Sequence, residues 1–152
     1  MSIAVLNLPR LERYALAAML DLCGRAPEDR PTAEALAEHI GAPPAMLAKV
    51  LRRLVVAGLV ESTRGHRGGY WLGRPAETIL LAEVLGAVED EHHVKDAGME
   101  CSLGVRACDP GRPCRLHDRW AAATRDLRGL LYGVTLSEIA VGEIAASEAA
   151  AR

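Results

Sequence analysis

The 152-residue chain contains no phenylalanine, and its aromatic residues are two tryptophans and three tyrosines. Its core is therefore expected to be built from Leu, Val, Ile and Ala, a composition that favours helices. No apolar run approaches the roughly 18–20 residues that a spanning helix needs, so no membrane partner is expected. The segment Met1 to Asn7 lacks the basic-then-apolar order of a secretory signal. A cytoplasmic location is expected, in which the four cysteines are expected as thiols or metal ligands rather than disulfides. Nor is there a nucleophile beside a base, a phosphate-cradling glycine motif or a pair of carboxylates in a pocket signature. The chain is not expected to be an enzyme. His92 and His93 beside Glu91 read as imidazoles in a solvated acidic loop.

An overall positive charge is also missing: the formal net charge is −2. The distribution matters more than the sum. Lys49, Arg52, Arg53, Arg64, Arg67 and Arg74 fall in one stretch against Glu61 alone, whereas acids outnumber bases from Ala76 onward. A local basic face within an acidic chain is the footprint that binding to DNA phosphates requires.

Helical periodicity and breakers divide the first part of the chain. Asn7 is placed to cap a first helix with Pro9 in its first turn, and Leu11, Ala15, Ala18 and Leu22 recur on one face. Residues 26–31 read as a loop. Thr32 caps a second helix, Ala33 to Ile40, stopped by Gly41. Pro43 and Pro44 start a third helix to about Ala57, with Leu47, Val50, Leu51 and Leu54 inward and Gly58 just past its end. Two helices joined by a tight glycine turn make a helix-turn-helix unit. Leu59 to Arg64 and Tyr70 to Leu72 then read as strands around a glycine-rich turn, a wing directly behind that unit.

The third helix is expected to enter a major groove of double-stranded DNA. Pro44 and Ala45 would lie near base edges, with Lys49, Arg52 and Arg53 nearer the backbone. Around the wing, Arg64, His66 and Arg67 are expected to bind DNA, because glycines permit close approach and arginine suits a narrow A·T-rich minor groove.

Further on, Thr78 is placed to cap a fourth helix over residues 79–88, and a polar, broken stretch follows from Asp90 to Pro113. A long helix is expected from about Cys114 to Tyr132, its apolar side formed by Leu116, Trp120, Ala123, Leu127, Leu130 and Leu131. That stripe needs a second surface, and a two-fold dimer supplies one. Thr135 and Glu138 form a capping box for a last helix over residues 136–146.

Three cysteines and a histidine cluster before and at the long helix. Six residues separate Cys101 from Cys108, five separate Cys108 from Cys114, and two separate Cys114 from His117. Zinc sites usually open with a tighter Cys-x2–4-Cys pair. Wide, even spacing suits a loop wrapped around an iron–sulfur cluster, and thiolates favour such clusters and zinc in general. Spacing alone leaves cluster, zinc and bare thiols open. Cys23 reads instead as a small thiol packed on the first helix.

The run from Arg13 to Asp21, the run from Gly58 to Leu72, the stretch from Cys101 to Trp120 and the run from Thr135 to Ile139 together resemble the Rrf2 family of bacterial winged-helix regulators. The resemblance spans about Leu8 to Ile144. It implies a DNA-binding transcriptional regulator, a homodimer, and a 2Fe–2S cluster on Cys101, Cys108, Cys114 and His117. It also points to Arg64 as the minor-groove residue. The nitric-oxide-sensing branch of the family takes an acidic ligand just before the aromatic residue of the first helix, and Arg13 stands there in this chain. The first cysteine gap is one residue longer than in the iron–sulfur branch.

The expected fold class is mainly α with a small β-hairpin: a winged helix-turn-helix domain plus a long C-terminal dimerisation helix. The expected organisation is a DNA-binding domain over residues 1–76, a connecting helix and sensor loop over 77–113, and a dimerisation helix with a short final helix over 114–152.

Overall fold

The computed structural model describes residues 8–65, 68–89 and 115–141, with positions 120, 121, 124, 127 and 128 described by backbone alone. Its elements run α1 (Arg10–Cys23), α2 (Ala33–Ile40), α3 (Pro44–Val56), β1 (Val60–Thr63), β2 (Gly69–Leu72), a 3-10 turn (Ala76–Thr78), α4 (Leu81–Val88) and α5 (His117–Gly133). Residues 136–141 are again helical.

Pro9 is extended and sits just before α1 rather than in its first turn, and its carbonyl accepts the first helical bond from the Arg13 N–H at 3.1 Å. Asn7, expected as the cap, lies outside the described residues. The helix buries Ala15, Ala18, Met19 and Leu22. Thr32 Oγ1 accepts the Ala35 N–H at 3.2 Å and starts α2 as its hydroxyl should. Both helices of the helix-turn-helix unit end in the same way. Gly41 and Gly58 take positive φ values of 66° and 70°. The following amides of Ala42 and Leu59 reach back to the carbonyls of Ala37 and Leu54 at 2.9 and 3.0 Å. These are Schellman ends, in which glycine avoids the steric cost of a left-handed residue.

α1, α2, α3 and α4 pack around one aliphatic core. Leu47, Val50, Leu51 and Leu54 of α3 are fully buried with Met19, Leu36, Val84 and Val88. The hairpin closes one side. β1 and β2 are antiparallel, with Val60 opposite Leu72 and Glu61 opposite Trp71. The alternation turns Val60, Tyr70 and Leu72 toward the core. A third backbone segment joins the hairpin, because the Tyr70 N–H donates to the Pro31 carbonyl at 3.0 Å.

The fourth helix departs from its expected start. Thr78 does not cap it; its hydroxyl donates to the Pro75 carbonyl at 2.7 Å within the 3-10 turn. Ile79 and Leu80 are extended, because that stretch pairs with residues 134–136. Leu80 and Thr135 form an isolated antiparallel bridge, Leu81 N–H donates to Val134 at 2.9 Å, and Leu136 N–H donates to Ile79 at 2.8 Å. The Glu83 carboxylate then accepts the Leu80 N–H at 2.9 Å at the head of α4. The long helix likewise starts at His117 rather than Cys114, with no side-chain cap; Arg115 and Leu116 form a turn. The capping box of the last helix forms as read, with Thr135 N–H on Glu138 Oε2 at 2.8 Å and Glu138 N–H on Thr135 Oγ1 at 3.4 Å.

Candidate nucleic-acid interface and sensor residues

The exposed side of α3 is a consequence of its buried side. With Leu47, Val50, Leu51 and Leu54 inward, Pro44, Ala45, Lys49 and Arg52 are left exposed on one helix. Arg64 is exposed directly after β1, where the turn of the wing begins. The wing turns at Gly65, whose φ is 112°, and the Gly68 N–H closes on the Gly65 carbonyl at 2.8 Å. His66 and Arg67 lie outside the described residues.

Arg53 behaves differently from its neighbours. It is half-buried, and its Nη1 donates to the Val88 carbonyl at the end of α4 at 2.5 Å. The sequence does not signal this contact, because periodicity assigns a helical face but not the reach of a long side chain. A second feature was missed. The Arg30 guanidinium lies 4.1 Å above the Trp71 ring, whose Nε1 donates to Glu61 at 3.1 Å. Nothing local in the sequence signals this stack, since it depends on the loop before α2 running alongside β2.

Electrostatic ties fix the geometry of the helix-turn-helix unit. Asp21 of α1, with its side chain only 6% exposed, accepts from Arg25 Nε at 2.6 Å and pairs with His39 of α2. Burial alone would raise the Asp21 carboxyl, but the hydrogen bonds from Arg25 and His39 outweigh it and hold the group below its usual value. At the base of the wing Arg74 pairs with Glu83 at 2.5 Å. Glu83 is likewise held low, first by the Leu80 amide and then by Arg74. The Cys23 thiol is half-buried and pushed up, by burial first and the nearby charge of Glu77 second, as befits a packed and unreactive thiol.

Of the four residues expected as cluster ligands, His117 is described. It is the first residue of α5 and half-buried. Cys101, Cys108 and Cys114 lie outside the described residues. Among the described residues no group of three His, Cys, Asp or Glu comes together. No described helix is long and apolar enough to cross a membrane.

A helix-turn-helix with an exposed basic helix and a two-stranded wing behind it defines the winged helix-turn-helix class of DNA-binding folds. The chain belongs to the Rrf2 family, whose model, described as an iron-dependent transcriptional regulator, matches residues 9–142. IscR of Klebsiella pneumoniae, an HTH-type transcriptional regulator, is 35% identical over 127 residues, 84% of this chain and 75% of that one. Among solved structures, T. potens IscR is similar with a TM-score of 0.68 at 22% identity, covering 91% of this chain and 88% of that one. CymR, the global cysteine regulator of B. subtilis, is similar with a TM-score of 0.72 at 23% identity, covering 90% of this chain and 98% of that one. Both structural likenesses speak to the fold. The family makes this chain a transcriptional regulator of Rrf2 type.

Proposed function

We propose that the protein is a homodimeric regulator whose grip on a double-stranded DNA operator depends on an iron–sulfur cluster, a 2Fe–2S centre, held by Cys101, Cys108, Cys114 and His117. The observation that carries the DNA half is the exposed row Pro44, Ala45, Lys49 and Arg52 on α3, together with the exposed Arg64 at the wing. In this reading Pro44 and Ala45 lie near base edges, Lys49 and Arg52 bind phosphates, and Arg64 enters the minor groove with His66 and Arg67 around it. Residues 1–76 form the DNA-binding unit, 77–113 the link and sensor loop, and 114–152 the dimerisation segment.

The cofactor half is supported by the chemistry of the donors. Three thiolates and an imidazole suit an iron–sulfur centre, and the matching family model is described as iron-dependent. When bound, such a cluster supplies a centre whose redox state, or presence, can change with the cell. The protein's own part is to place His117 at the head of α5, so that holding or releasing the group bears on the helix proposed to join two subunits. Leu130 and Tyr132 on α5 are 58% and 66% exposed, a surface that a second copy would cover. Two α3 helices on a two-fold axis would then read half-sites about 34–36 Å apart.

The DNA half is tested by binding to a duplex selected from a random pool, measured across salt concentrations. For the wild type, log K is expected to fall steeply against log salt. Arg52→Ala and Arg64→Ala should each reduce that slope by about 0.9 per phosphate contact removed. A flat wild-type response, or slopes untouched in both variants, would contradict the assignment.

A further inference from the structure

α4 is tied at its head to the segment after the wing and at its tail to α3. At its head, Glu83 pairs with Arg74 just after the wing at 2.5 Å, and the extended residues before it pair with 134–136. At its tail, Val88 is in the last turn, where carbonyls lack helical donors. The last turn of α4 carries no basic residue. Arg53 supplies the missing cation from α3, donating to the Val88 carbonyl at the negative end of the helix. The next residue, Glu89, is already extended and leads into the segment that carries the cysteines.

We infer that Arg53 is a positioning residue, which caps α4 from within the recognition helix and sets the angle at which that helix is offered to DNA. It is not a phosphate ligand. Its guanidinium is half-buried against α4, whereas Lys49 and Arg52 on the same helix are exposed. A phosphate contact strengthens binding to every sequence alike, while a change in helix angle matters most where base edges must register. The inference rests on the reading of α3 as the recognition helix.

The test uses the full-length protein with matched Arg53→Met and Arg52→Met variants. Binding is measured across salt concentrations on the selected operator and on a random-sequence duplex, together with amide hydrogen exchange over residues 85–89. In R52M, affinity is expected to fall on both duplexes, with the slope reduced by about 0.9 per contact. In R53M, the slope and random-duplex affinity are expected to stay at wild-type values. Operator affinity should fall on the order of tenfold, the size of one hydrogen bond from a charged group, and the last turn of α4 should exchange faster. Should R53M fail to fold, Arg53→Gln gives the same readouts with a shorter neutral donor. A reduced slope with unchanged exchange would overturn the inference and make Arg53 a phosphate ligand. If the wild type bound neither duplex, the recognition-helix reading would fail and this inference with it. Accelerated exchange in R53M would then place the fault in that reading rather than in the cap.

Discussion

Replacing Leu136 with Ala is expected to lower stability by about 2–5 kcal/mol, a large share of the roughly 5–15 kcal/mol that holds a typical domain together. Leu136 is fully buried, yet it comes from beyond α5, far along the chain from the helices it packs with. Its amide also donates to Ile79 at 2.8 Å. The cavity left by truncation would open in the shared aliphatic core, whose packed side chains cannot all collapse into it. Thermal unfolding should shift down by on the order of 10 °C. Leu130→Ala, on the exposed side of α5, should leave unfolding of the fold nearly unchanged and act on self-association instead. A melting temperature for L136A within about 2 °C of the wild type would mean that residues 134–136 are not anchored to the core.

Gly69→Ala is the second large effect, and it acts on the wing. A Cβ at this position would lie 2.2 Å from the Arg30 carbonyl oxygen and 2.8 Å from that of Pro31. Both obstacles are backbone, and the same segment is hydrogen-bonded to Tyr70, so neither can swing aside. The expected cost is that of forcing atoms into a packed site, about 1–3 kcal/mol. Displacing β2 would also move Arg64, which follows Thr63, the residue paired with Gly69, so DNA affinity should fall with stability. Gly86→Ala is the contrasting substitution. Nothing lies within 4 Å of its added Cβ, and the residue is exposed within α4. Removing a mid-helix glycine there should stabilise by about 0.5–1 kcal/mol. Chemical denaturation of both variants checks the pair, and equal behaviour would refute the close-approach argument for Gly69.

Much of the fold was legible because its signals are local. Thr32, Gly41, Pro44 and Gly58 mark the ends of α2 and α3 by side-chain and backbone chemistry that needs no distant partner. The inward face of α3 followed from helical spacing alone. The head of α4 was not legible. Thr78 has the right chemistry for a cap, but pairing of residues 79–81 with 134–136 holds the backbone extended past it, and no local rule anticipates a partner more than fifty positions away. The same limit hid the contacts of Arg53 and Arg30, whose partners lie on other elements. For the site, spacing and residue type marked Lys49, Arg52 and Arg64 as exposed bases, and the structure leaves them exposed. The start of α5 was read three residues early, because Arg115 and Leu116 form a turn before it.

The proposed regulator is an assembly of two parts, a DNA surface and a donor set ahead of α5, linked through α4. The most direct measurement is made on protein purified without air from iron-replete cells. Visible absorption, iron and inorganic sulfide are quantified, and operator affinity is compared before and after removal of the metal, for the wild type and for Cys108→Ala. The account predicts a coloured wild type with iron and sulfide in equal amounts. Its operator affinity should change about 5–150-fold on removal, corresponding to a coupling of about 1–3 kcal/mol. C108A should be colourless and insensitive to the same treatment. A wild type that is colourless, or that holds its operator equally well with and without metal, would contradict it.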